Sequence, residues 1–258
     1  MINKKYLKLL RSYNRLDKDN FIYNILSKRI IDSLDLLNID IKYVLEVGAN
    51  ENLINNYIRN KFENSSIDYM DYNLCNALFR NKSNYIDMNI NNVKLKKDHY
   101  SLVFSNLFLH LTDNIENYLN SIFNSLNSNG FFIAIIPDKN CMYQLLNCMY
   151  ESDLHIYKGV YPRFNPTLEI NNILEILKML KFSHPSIHTD IIEIKYTKFD
   201  KLIKDVKKMN ISYCYKDKKQ NFEKKTYFDT LEKFYKKSYY DGAYNLEVKV
   251  NIISGWKN

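Results

Sequence analysis

The first half of the chain alternates between helical and extended hydrophobic patterns. Apolar residues recur at three- and four-residue intervals over 20–37, which predicts a helix with one buried stripe. A short apolar run at 43–47 ends at Gly48, and a second helical pattern covers 53–62. A strand, a tight turn and a helix in this order are typical of the start of a mononucleotide-binding unit.

The alternation continues along the chain. Further strands are predicted at 66–70, 85–88, 102–105 and 131–136, helices at 74–79 and 115–126, and a turn at 128–130. After Pro137 the pattern predicts helices at 142–151, 168–180, 198–208 and 226–235, and extended segments at 187–196 and 246–254. Strands separated by helices predict an α/β fold: a doubly wound, mostly parallel Rossmann-like sheet with helical cap elements and a late strand at the C-terminus.

The domain organisation follows from the absence of breaks in this pattern. No linker, repeat or low-complexity tail interrupts the 258 residues, a length that supports one large core. We expect a single domain over 1–258, with N-terminal helices in 1–40, a cofactor-binding half in 41–137 and a substrate and cap half in 138–258. The basic N-terminal segment lacks a long apolar stretch and a small-residue cleavage site, so we expect neither a secretory signal nor a membrane span.

The biased amino-acid composition limits what the net charge of the chain can indicate about partners. The chain has 22 Tyr and 14 Phe but only 5 Gly, which we interpret as drift under a biased nucleotide composition. The net charge of +8 has two interpretations, solvated lysines on loops and helix faces or a nucleic-acid groove. The lysine runs are short and no arginine-rich, aromatic-interleaved motif accompanies them, so we favour the first and expect no nucleic-acid partner. An acidic protein partner stays open.

The cysteines indicate a reduced protein without a metal site. The sequence holds Cys75, Cys141, Cys148 and Cys214, with no CxxC pair and no histidines at zinc spacing. We therefore expect structural thiols and no bound metal.

The segment after the first strand occupies the position of a glycine-rich nucleotide loop. Glu46 is the second-last residue of the strand, and Gly48 is the one glycine available for the tight turn and the close approach of backbone to ligand. Asn50 stands where a further glycine is expected, and asparagine tolerates left-handed backbone next best. We expect Glu46, Gly48 and Asn50 to contribute to a cofactor site.

Acidic residues end the next two strands. Asp71 follows strand two, where a carboxylate usually accepts hydrogen bonds from a ribose diol. Asp87 and Met88 end strand three and are candidates for the amino group and the ring face of an adenine. An exposed aspartate at a strand end is a common alternative for each carboxylate.

The segment Ser105-Asn106-Leu107-Phe108-Leu109-His110 follows strand four directly. We expect Ser105 and Asn106 to face the ligand crevice at the carboxyl ends of the strands. His110 is the candidate catalytic residue, as a base or an orienting donor. The alternative, which we favour, is a histidine packed in the core at a helix start.

A loop bracketed by Pro162 and Pro166 carries Tyr161 and Arg163. The fixed φ of proline reduces the cost of ordering such a loop, and an arginine on it suits a substrate carboxylate or phosphate. A simple connection between two helices is an equal alternative.

Several stretches together resemble one family. They are Gly48 after an apolar strand, SNLFLHLTDN, the Gly130 turn, GVYPRFNP, KDVKKMN and the closing DGAYNLEVKVNIISGWKN. In order and spacing they resemble the class I methyltransferase-like family of mitochondrial complex I assembly factor five and its alphaproteobacterial relatives, and more distantly the malonyl-carrier-protein O-methyltransferases of biotin synthesis. The family's glycine-rich loop is reduced to Gly48, its tryptophan after the histidine is Leu111, and its aspartate before strand four is Ser101.

The resemblance implies S-adenosylmethionine as cofactor and a protein substrate, either a complex I subunit or an acyl carrier protein. In the assembly-factor branch it implies hydroxylation of an arginine rather than methylation. It further implies a location in the bacterial cytoplasm or, for a eukaryotic source, the mitochondrial matrix. A rival hypothesis is a non-catalytic assembly protein that kept the fold and lost the cofactor loop.

Overall fold

The computed structural model describes residues 2–14, 20–49, 53–72, 84–87, 95–219 and 223–258. Within these ranges seven strands form one sheet in the order β3-β2-β1-β4-β5-β7-β6. The strands are β1 (Tyr43–Val47), β2 (Ser66–Asp71), β3 (Tyr85–Asp87), β4 (Tyr100–Asn106), β5 (Leu126–Pro137), β6 (Ser183–Tyr196) and β7 (Tyr244–Lys257). The five strands from β3 to β5 are parallel, whereas β7 pairs antiparallel with both β5 and β6.

The helices occupy both faces of this sheet. They are α1 (Lys4–Asn14), α2 (Phe21–Asp35), α3 (Leu53–Lys61), α4 (Ile115–Ser125), α5 (Tyr143–Tyr157), α6 (Ile170–Met179), α7 (Phe199–Lys208) and α8 (Lys225–Tyr239), with a short 3₁₀ turn at Leu109–Leu111. The predicted helix over 20–37 is confirmed as α2. The predicted helix at 74–79 lies outside the described residues. No helix in the described part of the chain is both long and apolar enough to cross a membrane.

The strand side chains alternate between two hydrophobic cores, as the two-residue period of a strand requires. Val44, Leu102 and Phe104 pack on one face, beneath α2, α3, α5, α7 and α8. Leu45 and Val103 pack on the other face, with α1, α4 and α6. Burial on both faces explains why the parallel strands are nearly continuous hydrophobic runs in the sequence. The predicted fold class is confirmed.

The turn predicted at 128–130 is a bulge inside β5 instead. Leu126 is opposite Tyr100 and Phe131 is opposite Leu102, so four residues of β5 lie across from Ser101 alone. Asn129 takes a φ of 64° within this bulge. A Cβ on Gly130 would lie 2.9 Å from the carbonyl oxygens of Asn127 and Tyr100, so the bulge needs a glycine here.

Helix α5 is longer than predicted. The sequence pattern predicts its end at about 151, before the polar pair Ser152-Asp153. Ser152 Oγ instead donates to the Cys148 carbonyl at 2.7 Å, and Asp153 is buried against Arg163. The helix therefore continues to Tyr157, and Lys158 follows in the left-handed conformation.

Candidate functional site

The carboxyl ends of four neighbouring strands bring the main predicted residues together. Gly48 follows β1, whose last residue Val47 is in register with Ser105 of β4. Asp71 at the end of β2 is in register with Asp87 at the end of β3. This edge of a parallel sheet is where doubly wound folds bind their ligands.

Gly48 makes the turn that the sequence predicts. Its φ is +85°, and its N–H donates to the Met70 carbonyl at 2.8 Å. A Cβ at this position would lie 2.4 Å from the Phe108 side chain. Glycine is thus required both for the backbone conformation and for the close approach of Phe108. The next predicted residue, Asn50, lies outside the described residues, as does Met88.

Asp71 forms a buried ion pair with Arg11 of α1. The carboxylate is fully buried and Arg11 is 3% exposed. Arg11 Nε donates to Asp71 Oδ1 at 3.3 Å, and an Nη2 contact to Oδ2 completes a two-point pair. Burial acts to lower the pKa of Arg11, but the Asp71 charge and hydrogen bond raise it above its ordinary value. An intramolecular guanidinium thus lies where the sequence predicts a ribose diol.

Arg11 also covers the turn after β1. Its guanidinium carbon lies 4.8 Å from the centre of the Phe108 ring, and Nη2 donates to the Ala49 carbonyl at 3.4 Å. Arg11, Phe108 and Asp71 thus form one cluster, which we call the Arg11 cluster. It connects α1 to the edge of the sheet where a cofactor is expected.

The residues at this edge fit S-adenosylmethionine if Asp71 exchanges Arg11 for a ribose. Gly48, Asp71 and Asp87 lie at adjacent strand ends, as the resemblance implies. The Ser105 hydroxyl is fully buried and makes no hydrogen bond to the described residues. A buried polar group without a partner is costly, and a bound ligand is one way to satisfy it.

Two of the predicted cofactor residues bind helices of their own chain. Glu46 Oε2 accepts from Asn55 Nδ2 of α3 at 2.7 Å, and both side chains are buried. Asn106 Nδ2 donates to Ser27 Oγ at 3.2 Å, while its carbonyl accepts from the Tyr23 hydroxyl at 3.2 Å. These contacts attach α3 and α2 to the strand ends, and a cofactor role for Glu46 and Asn106 stays a prediction.

His110 is buried in the 3₁₀ turn after β4. It is 3% exposed, and neither ring nitrogen has a well-formed hydrogen bond to the described residues. Burial lowers the pKa of His110 to about 3; the backbone of Asn210 acts the other way and the Arg11 charge lowers it further. The ring is therefore neutral at physiological pH and suits hydrogen bonding better than proton transfer. Its catalytic role stays a prediction.

His110 lines a cavity of about 380 Å³, which we call the smaller cavity. Pro137, the last residue of β5, and Asp138, which follows it, form part of its wall, so the cavity lies at the carboxyl ends of β4 and β5. Other described lining residues are Lys139, Cys141, Leu146, Tyr150, Pro162, Phe164, Asn165, Pro166, Thr167, Ile211 and Tyr213. His110 is buried, as the core-packing alternative predicts, and it also lines a cavity large enough for a ligand.

Arg163 binds carboxylates of its own chain. Nε donates to Asp153 Oδ2 at 2.9 Å, Nη1 donates to Glu223 Oε1 at 2.6 Å, and Nη2 contacts Asp153 Oδ1. The backbone N–H of Tyr161 also donates to Asp153, at 3.2 Å. Despite its burial, these carboxylates raise the pKa of Arg163. The geometry favours the connecting-loop alternative, and a substrate role for Tyr161 and Arg163 stays a prediction.

A larger cavity of about 930 Å³ lies between α1, α5, α7, α8 and the Arg163 loop. It shares Pro162, Phe164 and Tyr213 with the smaller cavity, so the two adjoin. Among its described lining residues are six cations and one carboxylate: Lys5, Lys8, Arg163, Lys207, Lys218, Lys219 and Glu223. This larger cavity favours an anionic or acidic ligand.

The cysteines and metal-ligand types give no further site in the described ranges. Cys141, Cys148 and Cys214 are buried free thiols, and Cys75 lies outside those ranges. Burial raises the pKa of Cys141 to about 12, which keeps it as an unreactive thiol. No three histidine, cysteine, aspartate or glutamate side chains of the described residues are grouped to hold a metal ion.

The sequence-based prediction of site residues missed two functional candidates, Arg11 and Asn165. Arg11 reaches Asp71 across 60 residues of sequence, which no local pattern reveals. Asn165 lies on the proline-bracketed loop that the sequence singles out, but its burial against Cys214 depends on a distant segment.

Comparison with known proteins shows which families the chain resembles. Residues 45–134 match a family model described as a methyltransferase domain. The chain is 24% identical over 211 residues to the mitochondrial arginine-hydroxylase NDUFAF5 of Dictyostelium discoideum, covering 74% of this chain and 48% of that protein. It is 18% identical over 202 residues to malonyl-[acyl-carrier protein] O-methyltransferase 1 of Coxiella burnetii, covering 78% and 68%. The chain thus spans about half the length of the Dictyostelium protein.

A solved structure supports the same fold. An S-adenosylmethionine-dependent methyltransferase from Archaeoglobus fulgidus superposes with a TM-score of 0.51 at 14% identity, covering 91% of this chain and 94% of that one. The family resemblance drawn from the sequence is confirmed at low identity, and the methyltransferase family model matches residues 45–134.

Proposed function

Since the chain has the class I methyltransferase fold and carries a methyltransferase domain, we propose that it is an S-adenosylmethionine-dependent enzyme that acts on a protein partner. The observation that carries this proposal is the alignment of Gly48, Asp71, Asp87 and Ser105 on four adjacent strand ends. Bound S-adenosylmethionine supplies an activated methyl group. The residues of the chain bind and orient it.

Each of these residues has a defined task. The turn at Gly48 lets the backbone approach the cofactor, and Asp71 accepts hydrogen bonds from its ribose diol. Asp87 at the neighbouring strand end accepts from the adenine amino group. Correct positioning provides much of the rate of such a transfer, so a neutral His110 is compatible with activity.

The choice of a protein partner rests on similarity and on charge. The Dictyostelium relative is named an arginine-hydroxylase of mitochondria, which supports an arginine-modifying role in respiratory complex I assembly. Besides the ion-paired Arg163 and Lys219, four lysines line the larger cavity, and this excess of positive charge suits an acidic partner surface. Such a role places the protein in the mitochondrial matrix or, for a bacterial source, in the cytoplasm.

A second candidate is methylation of a malonyl group on an acyl carrier protein. It is favoured by the Coxiella relative and by the larger cavity, because carrier proteins are acidic. A third is an assembly factor without catalysis, favoured by the Arg11 cluster, in which Asp71 already has a partner.

One experiment separates these candidates. The purified full chain is incubated with S-adenosylmethionine carrying an isotopically labelled methyl group and with proteins from cells that lack the chain. Labelled methyl on a complex I subunit or on a carrier protein supports the first or the second candidate. A subunit that gains one oxygen only in cells expressing the chain supports hydroxylation, and no modification of any protein overturns both enzymatic candidates.

A further inference from the structure

Two buried polar side chains with unused hydrogen-bonding groups line the smaller cavity. They are His110, which is 3% exposed, and Asn165, which is 8% exposed. Neither ring nitrogen of His110 has a hydrogen-bond partner among the described residues, and the same is true of Asn165 Nδ2. Native proteins rarely leave such groups unsatisfied, so two of them at one cavity indicate a ligand.

Asn165 is held so that its amide nitrogen is the free group. Its Oδ1 accepts from the Cys214 backbone N–H at 2.9 Å, and the backbone N–H of Asn165 donates to the Ile211 carbonyl at 2.9 Å. The Tyr213 N–H donates to the Arg163 carbonyl at 2.9 Å, so Phe164 and Ser212 form an antiparallel bridge. Three contacts thus fix the loop against residues 211–214, and Nδ2 offers two N–H donors.

His110 supplies the complementary group. Because burial keeps the ring neutral, one of its nitrogens carries a proton and the other carries a lone pair. The nitrogen with the lone pair is an acceptor. Together, His110 and Asn165 offer one acceptor and one donor to a bound molecule.

The charges around the smaller cavity favour a neutral ligand. The described lining residues include one carboxylate, Asp138, and one ammonium, Lys139, which is exposed. Asp138 accepts from Asn251 Nδ2 at 3.0 Å and lies 3.6 Å from Lys249 Nζ. An ionised ligand would therefore be buried without a dedicated counter-charge, which costs more than burying a neutral polar group.

We propose that the smaller cavity binds a neutral carboxamide, the side chain of a glutamine or asparagine of the protein substrate. Its carbonyl accepts from Asn165 Nδ2, and its amide N–H donates to His110. A carboxylate satisfies only Asn165, because it has no N–H for the histidine lone pair. The inference rests on the proposed function, since it places this carboxamide beside the strand ends that bind the cofactor.

The test uses three small probes and the full chain. The probes are N-acetylglutamine methylamide, the corresponding glutamate derivative, and an apolar analogue without the side-chain amide. Binding is followed by NMR through the ring-nitrogen signals of His110, assigned with H110F. We expect the carboxamide to shift the His110 signals and to bind at least tenfold more tightly than the other two probes.

Variants divide a binding role from a structural one. N165D keeps the size of the side chain and the acceptor for Cys214 but removes the free donor, so it should weaken carboxamide binding about tenfold. N117D makes the same amide-to-carboxylate change at an exposed residue that lines neither cavity, and it should bind the carboxamide as the wild type does. The fluorescence of Trp256 checks that each variant is folded.

The outcomes are distinct from those for the proposed function. Equal or tighter binding of the glutamate probe, unchanged carboxamide binding in N165D, or no binding of any probe overturns the inference. Calorimetry with S-adenosylmethionine on the same samples gives the separate result. Cofactor binding without carboxamide preference overturns the inference alone, whereas carboxamide binding without cofactor binding overturns the proposed function alone.

Discussion

At residue scale, Gly48 combines a backbone conformation and a packing contact that no other residue provides. We expect Gly48→Ala to lower the free energy of unfolding by about 2–4 kcal/mol, because the left-handed backbone and the contact with Phe108 both oppose a Cβ. Urea unfolding measures this value. Gly159→Ala is the matched control, since nothing lies within 4 Å of a Cβ there. A loss at position 48 no larger than at 159 contradicts the account of the turn.

His110 makes stability depend on pH. Its folded-state pKa of about 3 lies below the unfolded value of about 6.5, so only the unfolded chain takes up a proton as the pH falls below 6.5. This group therefore lowers stability by up to about 1.4 kcal/mol per pH unit from pH 6.5 downward. Unfolding at pH 6.5 and 4.5 should show a smaller loss in His110→Gln than in the wild type.

The exposed His155 provides the comparison for this pH dependence. His155→Gln should keep the pH dependence of the wild type. If His110→Gln keeps it as well, the buried ring is not neutral in the folded protein. The hydrogen-bonding role inferred for the smaller cavity then loses its basis.

At the scale of single elements, the proposed function requires cofactor binding to disturb α1. In that proposal, Arg11 and a ribose diol compete for the same Asp71 carboxylate. We expect saturating S-adenosylmethionine to increase amide hydrogen exchange in α1 while protecting the turn after β1. Exchange followed by mass spectrometry measures both segments. Increased protection of α1 with bound cofactor contradicts competition for Asp71.

The sequence predicts best the helices and strands whose spacing of apolar residues follows from burial against a core. β1 and α2 match their expected positions because their apolar residues face a core on one or both sides. The bulge at 127–130 was expected as a turn, since Asn and Gly favour both structures and only pairing with Tyr100 distinguishes them. The extra length of α5 depends on Asp153 meeting Arg163, again a contact made by folding.

The candidate site likewise has some features that the sequence predicts and others that only the fold reveals. The strand-end positions of Gly48, Asp71 and Ser105 follow from the alternation of strands and helices, and so could be predicted. The partner of Asp71 could not, because Arg11 is distant in sequence and lies in a segment whose basic composition suggests only solvation. The sequence also left open whether His110 is a core residue or a ligand contact, and the adjoining cavity accounts for both features.

At the scale of the whole molecule, one sheet joins the two halves of the chain. β7 lies between β5 and β6, and its Trp256 ring is 4.5 Å from that of Phe131. We propose that 1–258 folds as one domain, so thermal unfolding should be a single transition. Trp256 is the only tryptophan, and its fluorescence should change together with far-ultraviolet circular dichroism. Two separated transitions contradict a single domain.

The central claim is that the carboxyl ends of the strands around Gly48 and Asp71 bind S-adenosylmethionine. Calorimetry on the full chain tests this claim most directly. We predict binding of one cofactor per chain with a rise in melting temperature, weakened at least tenfold in Asp71→Asn. Asp98→Asn, at an exposed aspartate, should bind as the wild type does. Neither heat nor a shift in melting temperature for the wild type at millimolar cofactor would contradict the claim.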